Sequence, residues 1–241
     1  MSRVSIMMDD RKSGIALIAG SLGGILTMAI HPTGAASLTA EQVGHLSVIS
    51  GTAHSLAMVS VLLLFLGACG LARRMAAADQ ISFAAIVTYG FACVAIMIAA
   101  AVSGFIVPGI MKHMVRDVPD AAHQWQIVID GIFQINQAFA RIYSVAASIA
   151  IVLWSLSALR NGGIGHGVAI YGCVVAPVII VGIGIGHLRL DIHGMAVVML
   201  GQAVWFILVG SQLCSRPASG VSLQSGPRHL CGQSKNRGSS T

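Results

Sequence analysis

Six stretches of the chain are each about as long as a bilayer is thick, mostly apolar and almost free of charge. A helix needs about 20 such residues to cross roughly 30 Å of hydrocarbon. The first stretch runs Ser13–Ile30 and ends at His31-Pro32. The second runs Gly51–Leu71 and ends at Arg73-Arg74. The third runs Ile81–Val107 and stops at Pro108-Gly109. The fourth ends at Leu159-Arg160, the fifth runs Gly167–Gly186 and the sixth Leu190–Leu213. Backbone groups in lipid must be bonded within the segment, and no period-two alternation suggests a barrel. The expected fold is therefore all-α, a polytopic bundle of six transmembrane helices. Residues 1–213 form the transmembrane domain, and 214–241 read as a disordered basic tail.

Only 9% of the residues are charged and 56% are hydrophobic, which excludes an ordinary soluble enzyme, a coiled coil and a disordered chain. The formal charge of +6 would elsewhere suggest a nucleic-acid partner. No basic run here exceeds the pair Arg73-Arg74, so no nucleic acid is expected. The charge instead orients the bundle. With the N-terminus inside, ten Lys and Arg fall on the inner face and three (Lys112, Arg116, Arg189) on the outer. By the positive-inside rule both termini are expected to be cytoplasmic. The first span is longer than a signal-peptide core and follows Asp9-Asp10, so it reads as retained rather than cleaved. Cys69, Cys93 and Cys173 fall in spans, and Cys214 and Cys231 at or beyond the last one. No outer disulfide framework and no Cys-x-x-Cys metal motif is expected.

The fourth stretch is too long and too polar for one perpendicular crossing. Counting back from Arg160 puts its lipid-spanning part near Ala140–Leu159. Asp130–Gln137 would extend the helix beyond the membrane or lie along its surface. Asp130, Gln137, Arg141, Ser144 and Ser148 recur at helical spacing and project onto one face. Arg141 is the most informative residue, because a charge at lipid depth must face the protein interior or snorkel. Its planar fork suits an anionic group. Asp191 and Glu41 are the alternative partners for a purely structural Arg141.

Seven of the nine His fall on the outer side. Four of them, His31, His54, His187 and His193, lie at span ends and should share one depth. Three readings fit them: helix capping at the headgroup level, a proton-linked site, or ligation of a metal or a single haem. No pair has the i, i+4 spacing of two ligands on one helix face. A two-haem arrangement is disfavoured because no span carries His in its inner half. Histidines titrating near neutrality would make ligand affinity change between about pH 5.5 and 7.5. Gly20-x-x-x-Gly24 and Gly182-x-x-x-Gly186 are small-residue patterns that let helices approach closely. Pro177 falls in the middle of the fifth span.

No nucleophile elbow, His-Glu-x-x-His, phosphate loop or dinucleotide fingerprint is present, so an enzyme is not expected. His31-Pro-Thr-Gly34, Asn136-Gln-Ala-Phe-Ala-Arg-Ile-Tyr143 and His187-Leu-Arg-Leu-Asp-Ile-His-Gly194 resemble segments of uncharacterised bacterial inner-membrane proteins. That resemblance covers the six spans. It implies a six-helix bundle in a bacterial plasma membrane and carries no substrate, cofactor or catalytic residue.

The expected function is binding or transport of a small anionic ligand at an outward-facing site. Arg141, Gln137 and Asn136 would build it with His31, His54, His187, Asp191 and His193. The alternatives are a redox protein holding one haem or metal on His31, His54, His187 and His193, and an accessory subunit without a ligand. The lipid bilayer is the surrounding partner, and a protein partner or a second copy fits any of the three.

Overall fold

The computed structural model describes residues 10–31, 39–76, 80–116 and 119–215. Expectations that fall elsewhere, including the tail beyond Ser215, His229 and Cys231, lie outside the described residues. The elements are α1 (Asp10–Ala29), α2 (Ala40–Ala76), α3 (Gln80–Ala101), a π-turn (Val102–Ile106), α4 (Val107–Arg116), α5 (Pro119–Asn161), α6 (His166–Gly184) and α7 (Ile192–Ser215). No strand occurs among the described residues. Six helices are long and apolar enough to cross a membrane, with α3, the π-turn and α4 counted as one continuous run. The protein is a multi-pass, all-α bundle. One end of it carries His31 and the start of α7; the other carries Arg160 and the paired Arg73-Arg74.

Two helices far exceed a bilayer's thickness. At the α-helical rise, the 37 residues of α2 span about 55 Å and the 43 of α5 about 64 Å. The early start of α2, eleven residues before the apolar stretch, has a local cause. The backbone N–H of Thr39 donates to Gln42 Oε1 at 2.9 Å, and the Gln42 N–H donates to Thr39 Oγ1 at 3.3 Å. This reciprocal capping box satisfies two donors that a helix start leaves open. In α5, Asp130–Gln137 simply continues the helix beyond the apolar part.

The expected stop at Pro108-Gly109 does not occur. At the π-turn the Val107 N–H reaches back five residues to the Val102 carbonyl. Pro108 has no N–H to offer the Ser103 carbonyl. The Ser50 hydroxyl of α2 donates to that carbonyl instead, at 3.1 Å. The chain therefore passes Pro108 without ending, and α4 packs against α2 and α5.

α1 sits between α2 and α7, and α5 packs against α3 and α6. Glycine makes these approaches feasible. A Cβ on Gly14 would lie 2.5 Å from the Gly210 carbonyl oxygen, and one on Gly210 would lie 2.7 Å from that of Gly14. A Cβ on Gly20 would lie 2.7 Å from the Ser60 carbonyl oxygen, so the Gly20-x-x-x-Gly24 pattern does face neighbouring helices. Gly182-x-x-x-Gly186 differs: Gly186 lies past the end of α6 at φ +76°, where it terminates the helix rather than packing it. Pro177 stays inside α6 without ending it.

The core is aromatic in the half toward Arg160. Tyr89, Trp154, Trp205 and Phe206 are buried and touch ring to ring, with Tyr89 5.6 Å from Trp154 and 5.3 Å from Phe206. One polar clamp crosses the core: Gln202 Nε2 of α7 donates to the Ser144 carbonyl at 3.2 Å and to Ser148 Oγ at 3.1 Å. At the Arg160 end, Arg74 forms a salt bridge to Asp10, fastening α2 to the first turn of α1.

Candidate functional site

A cavity of about 690 Å³ opens into the bundle from the His31 end, between α1, α2, α3, the π-turn, α4, α5 and α7. Its size falls within the range of small-molecule sites, roughly 300–1,000 Å³. Its wall is graded. Near the mouth stand His31, His54, Asn136, Gln137, Asp191 and His193, with Ser47, Ser50 and Ser103 beside them. Deeper, the lining becomes apolar, with Leu64, Ile96 and Met199 alongside Tyr89, Cys93 and Tyr143. Below Tyr89 the packed rings of Trp154, Trp205 and Phe206 leave no further lining residues, so the cavity is blind toward Arg160.

His54 is the best-fixed polar group of the mouth. It is buried, and its Nδ1 lies 2.8 Å from the Ser50 carbonyl. A carbonyl only accepts, so Nδ1 carries the hydrogen and donates. That leaves Nε2 as the acceptor of the neutral ring. Ser50 is one helical turn away, and its hydroxyl is spent on the Ser103 carbonyl of the π-turn. Gly104 of the same turn lies so close that a Cβ there would be 2.5 Å from His54 Cβ. The π-turn, Ser50 and His54 thus form one braced unit. His31 ends the α1 segment with its ring edge-to-face on His54, at 5.1 Å between centroids.

Across the mouth, α5 contributes Asn136 and Gln137. Asn136 Oδ1 is buried and has no hydrogen-bond partner among the described residues. A buried amide oxygen without a donor costs about 1–3 kcal/mol. It is therefore a specific demand for a ligand or a water at this point. Asp191 is exposed and occupied structurally: its Oδ1 accepts the Gly194 N–H at 2.9 Å, capping the start of α7. In the floor, the Tyr143 hydroxyl donates to the Met199 sulfur at 3.2 Å.

Six of the eight residues expected to form a site thus share one cavity: His31, His54, Asn136, Gln137, Asp191 and His193. Arg141 and His187 do not. Arg141 is exposed, lies outside the lining, and makes no ion pair with Asp191, Glu41 or any other described residue. The stripe on α5 divides accordingly. Ser144 and Ser148 are fully buried and Gln137 is half-buried in the cavity wall, while Asp130 and Arg141 are exposed. His187 is exposed in the turn between α6 and α7.

The expected quartet of His31, His54, His187 and His193 is not assembled. Among the described residues no group of three or more His, Cys, Asp or Glu side chains is placed to hold a metal ion. His31 and His54 alone make an imidazole pair.

Reading the sequence alone missed Ser50, Ser103, Gly104 and the apolar floor. The i, i+4 spacing of Ser50 and His54 was visible and would have suggested their link. No protein family, curated protein or solved structure matches the chain.

Proposed function

We propose that the protein is a membrane-embedded binding or transport-type protein for a small amphipathic molecule with an acidic head. The cavity's grading from a His and amide mouth to an apolar, blind floor carries this reading. Such a wall orients a ligand by its two ends: the body displaces water from apolar surface, and the head meets convergent polar groups. The uncommitted Nε2 of His54, the ring of His31 and the two amides suit an oxyanion or an acid hydroxyl. His54 Nε2 can accept from the neutral acid, or, once protonated, donate to its anion. The unpartnered Asn136 oxygen supplies the demand for a group with a donor.

The Lys and Arg distribution supports the finer placement of both termini in the cytoplasm with the cavity mouth outward; the resemblance to bacterial inner-membrane proteins implies a bacterial plasma membrane as the setting. In this placement Arg141 lies at the outer interface. It is 19 residues from Arg160, about 28 Å along α5, which matches the hydrocarbon thickness. Arg141 then serves as an interfacial anchor beside the mouth rather than as the ligand's partner.

The test uses full-length protein in lipid nanodiscs, titrated with decanoate, decanol and decylamine while its unfolding temperature is followed. Decanoate should raise the midpoint most, and His54→Phe should abolish that rise. Equal response to all three amphiphiles, or none to any, overturns the acidic-head assignment.

A further inference from the structure

The cavity is blind toward Arg160, yet its wall is thin on one side. A second hollow, of about 420 Å³, lies between α2 and α3. Leu62 and Phe65 of α2 and Gly90, Phe91 and Val94 of α3 line it, and no charged, amide or hydroxyl side chain does. Val61 and Cys93 line both the hollow and the cavity, so one layer of side chains divides the two spaces. Helical periodicity explains the arrangement. On α3, Tyr89, Cys93 and Ile96 line the cavity, while Gly90, Val94 and Met97, each one residue further on, line the hollow.

The hollow opens to the outside of the bundle, where Leu62, Phe91 and Val94 are exposed. Gly90 keeps it open. A Cβ there would meet only the edge of the Phe65 ring, at 3.6 Å. Val61 is 12 residues from Arg73, about 18 Å along α2, which sets the partition at mid-membrane depth. Acyl chains therefore surround the hollow.

The cavity alone is short for a membrane lipid. Seven residues separate His54 from Val61, about 10 Å along α2. An extended hydrocarbon chain advances roughly 1.3 Å per carbon, given C–C bonds of about 1.5 Å. About eight carbons thus reach from a head at His54 to the partition, and decanoate just spans the path. A longer chain must fold back or leave. Beyond Tyr89 the core is packed, so the way out is sideways. Leaving there keeps every further methylene in hydrocarbon and out of water.

We infer that the ligand is a long single-chain lipid acid whose tail passes between Val61 and Cys93 and ends in the hollow, in contact with the bilayer. The inference rests on the acidic-head reading for one end of the ligand and on the α2–α3 geometry for the other. The site then has an open end, and Gly90 and Phe65 set the width of the exit for the tail.

The experiment uses full-length protein in lipid nanodiscs, with each amphiphile added as a known mole fraction of the lipid. The readout is the fraction that gives half of the full rise in unfolding temperature. Palmitate should stabilise the parent at least as well as decanoate. Gly90→Trp, which fills the hollow, should raise the palmitate half-point about tenfold or more and leave that of decanoate within about twofold. Phe65→Ala widens the same exit and gives a reading even where Gly90→Trp does not fold. Palmitate with a phenyl group at its tail end should bind Phe65→Ala about threefold or more better than the parent. An unchanged palmitate half-point in Gly90→Trp, or an equal loss for both acids, overturns the inference. So does an unchanged half-point for the phenyl-tailed acid in Phe65→Ala. Decanol and hexadecanol are run in parallel. If they match the acids, the acidic-head reading falls, while discrimination by chain length in Gly90→Trp still upholds the path of the tail.

Discussion

The rings of His31 and His54 meet edge to face with 69° between their planes, joining the end of α1 to α2 at the mouth of the cavity. His54 cannot turn freely, because its Nδ1 is tied to the Ser50 carbonyl. The acceptor nitrogen is thereby held in one direction.

His54→Phe keeps the ring contact with His31 and removes both nitrogens. The fold should persist, with stability changed by less than about 1.5 kcal/mol, since the swap is close in volume. Stabilisation by decanoate should disappear. Thermal unfolding with and without the ligand reads both quantities in one experiment.

Arg141→Ala and Asn136→Leu separate the two sides of α5. Arg141 is exposed and outside the cavity, so its loss should leave decanoate affinity within about twofold. Asn136→Leu removes an amide from the wall and should weaken affinity about tenfold or more, equivalent to about 1.4 kcal/mol. Isothermal titration in nanodiscs distinguishes them. A large loss in Arg141→Ala alone would return the ligand to the outer face of α5.

Gly104→Val tests the brace between the π-turn and α2. Its Cβ would lie 2.5 Å from His54 Cβ, so the two helices must separate. Overpacking of this kind costs about 1–3 kcal/mol. The variant should unfold earlier and bind decanoate weakly. Gly109→Val, at a position where a Cβ meets nothing within 4 Å, is the control that should bind normally.

Gln202→Leu removes the clamp between α7 and α5. Interhelical hydrogen bonds in membranes are worth about 0.6–2 kcal/mol, and the buried Gln202 Oε1 has no partner among the described residues. Loss of the unsatisfied oxygen offsets part of the lost bonds. The net destabilisation should stay under about 1.5 kcal/mol. Gln202→Ala, which also leaves a cavity, should cost more. Reversible unfolding in bicelles gives the comparison.

Hydropathy made the six spans legible, because lipid imposes one length and one chemistry on every crossing helix. It said little about what lies beyond the lipid. The first part of α2 is set by Thr39 and Gln42, two short-range contacts within a polar stretch. The π-turn was hidden because Pro108-Gly109 reads as a stop unless another helix supplies the missing donor, and that donor, Ser50, is 53 residues away from Ser103. His31, His54 and His193 line one cavity. Shared span-end positions are not convergence, and His187 lies in a turn outside the cavity. On α5 the projection put Arg141 on the stripe with Gln137 and Ser144. Arg141 sat at the stripe's edge, and the packing of α5 against α3 and α6 decided which side of that edge faced in.

The π-turn also makes the brace on His54 sensitive to chain length. A π-turn holds one residue more than the α-helical turn it replaces. Removing a single residue between Val102 and Ile106 would let the helix close in the α register. The extra residue is absorbed within one turn, so the helix beyond would keep its phase, and Val107, Pro108 and Met111 would still face the cavity. What would be lost is the widened turn that sets the Ser103 carbonyl against Ser50 and Gly104 against His54. The brace on His54 therefore depends on one residue of chain length, and the α4 part of the wall does not.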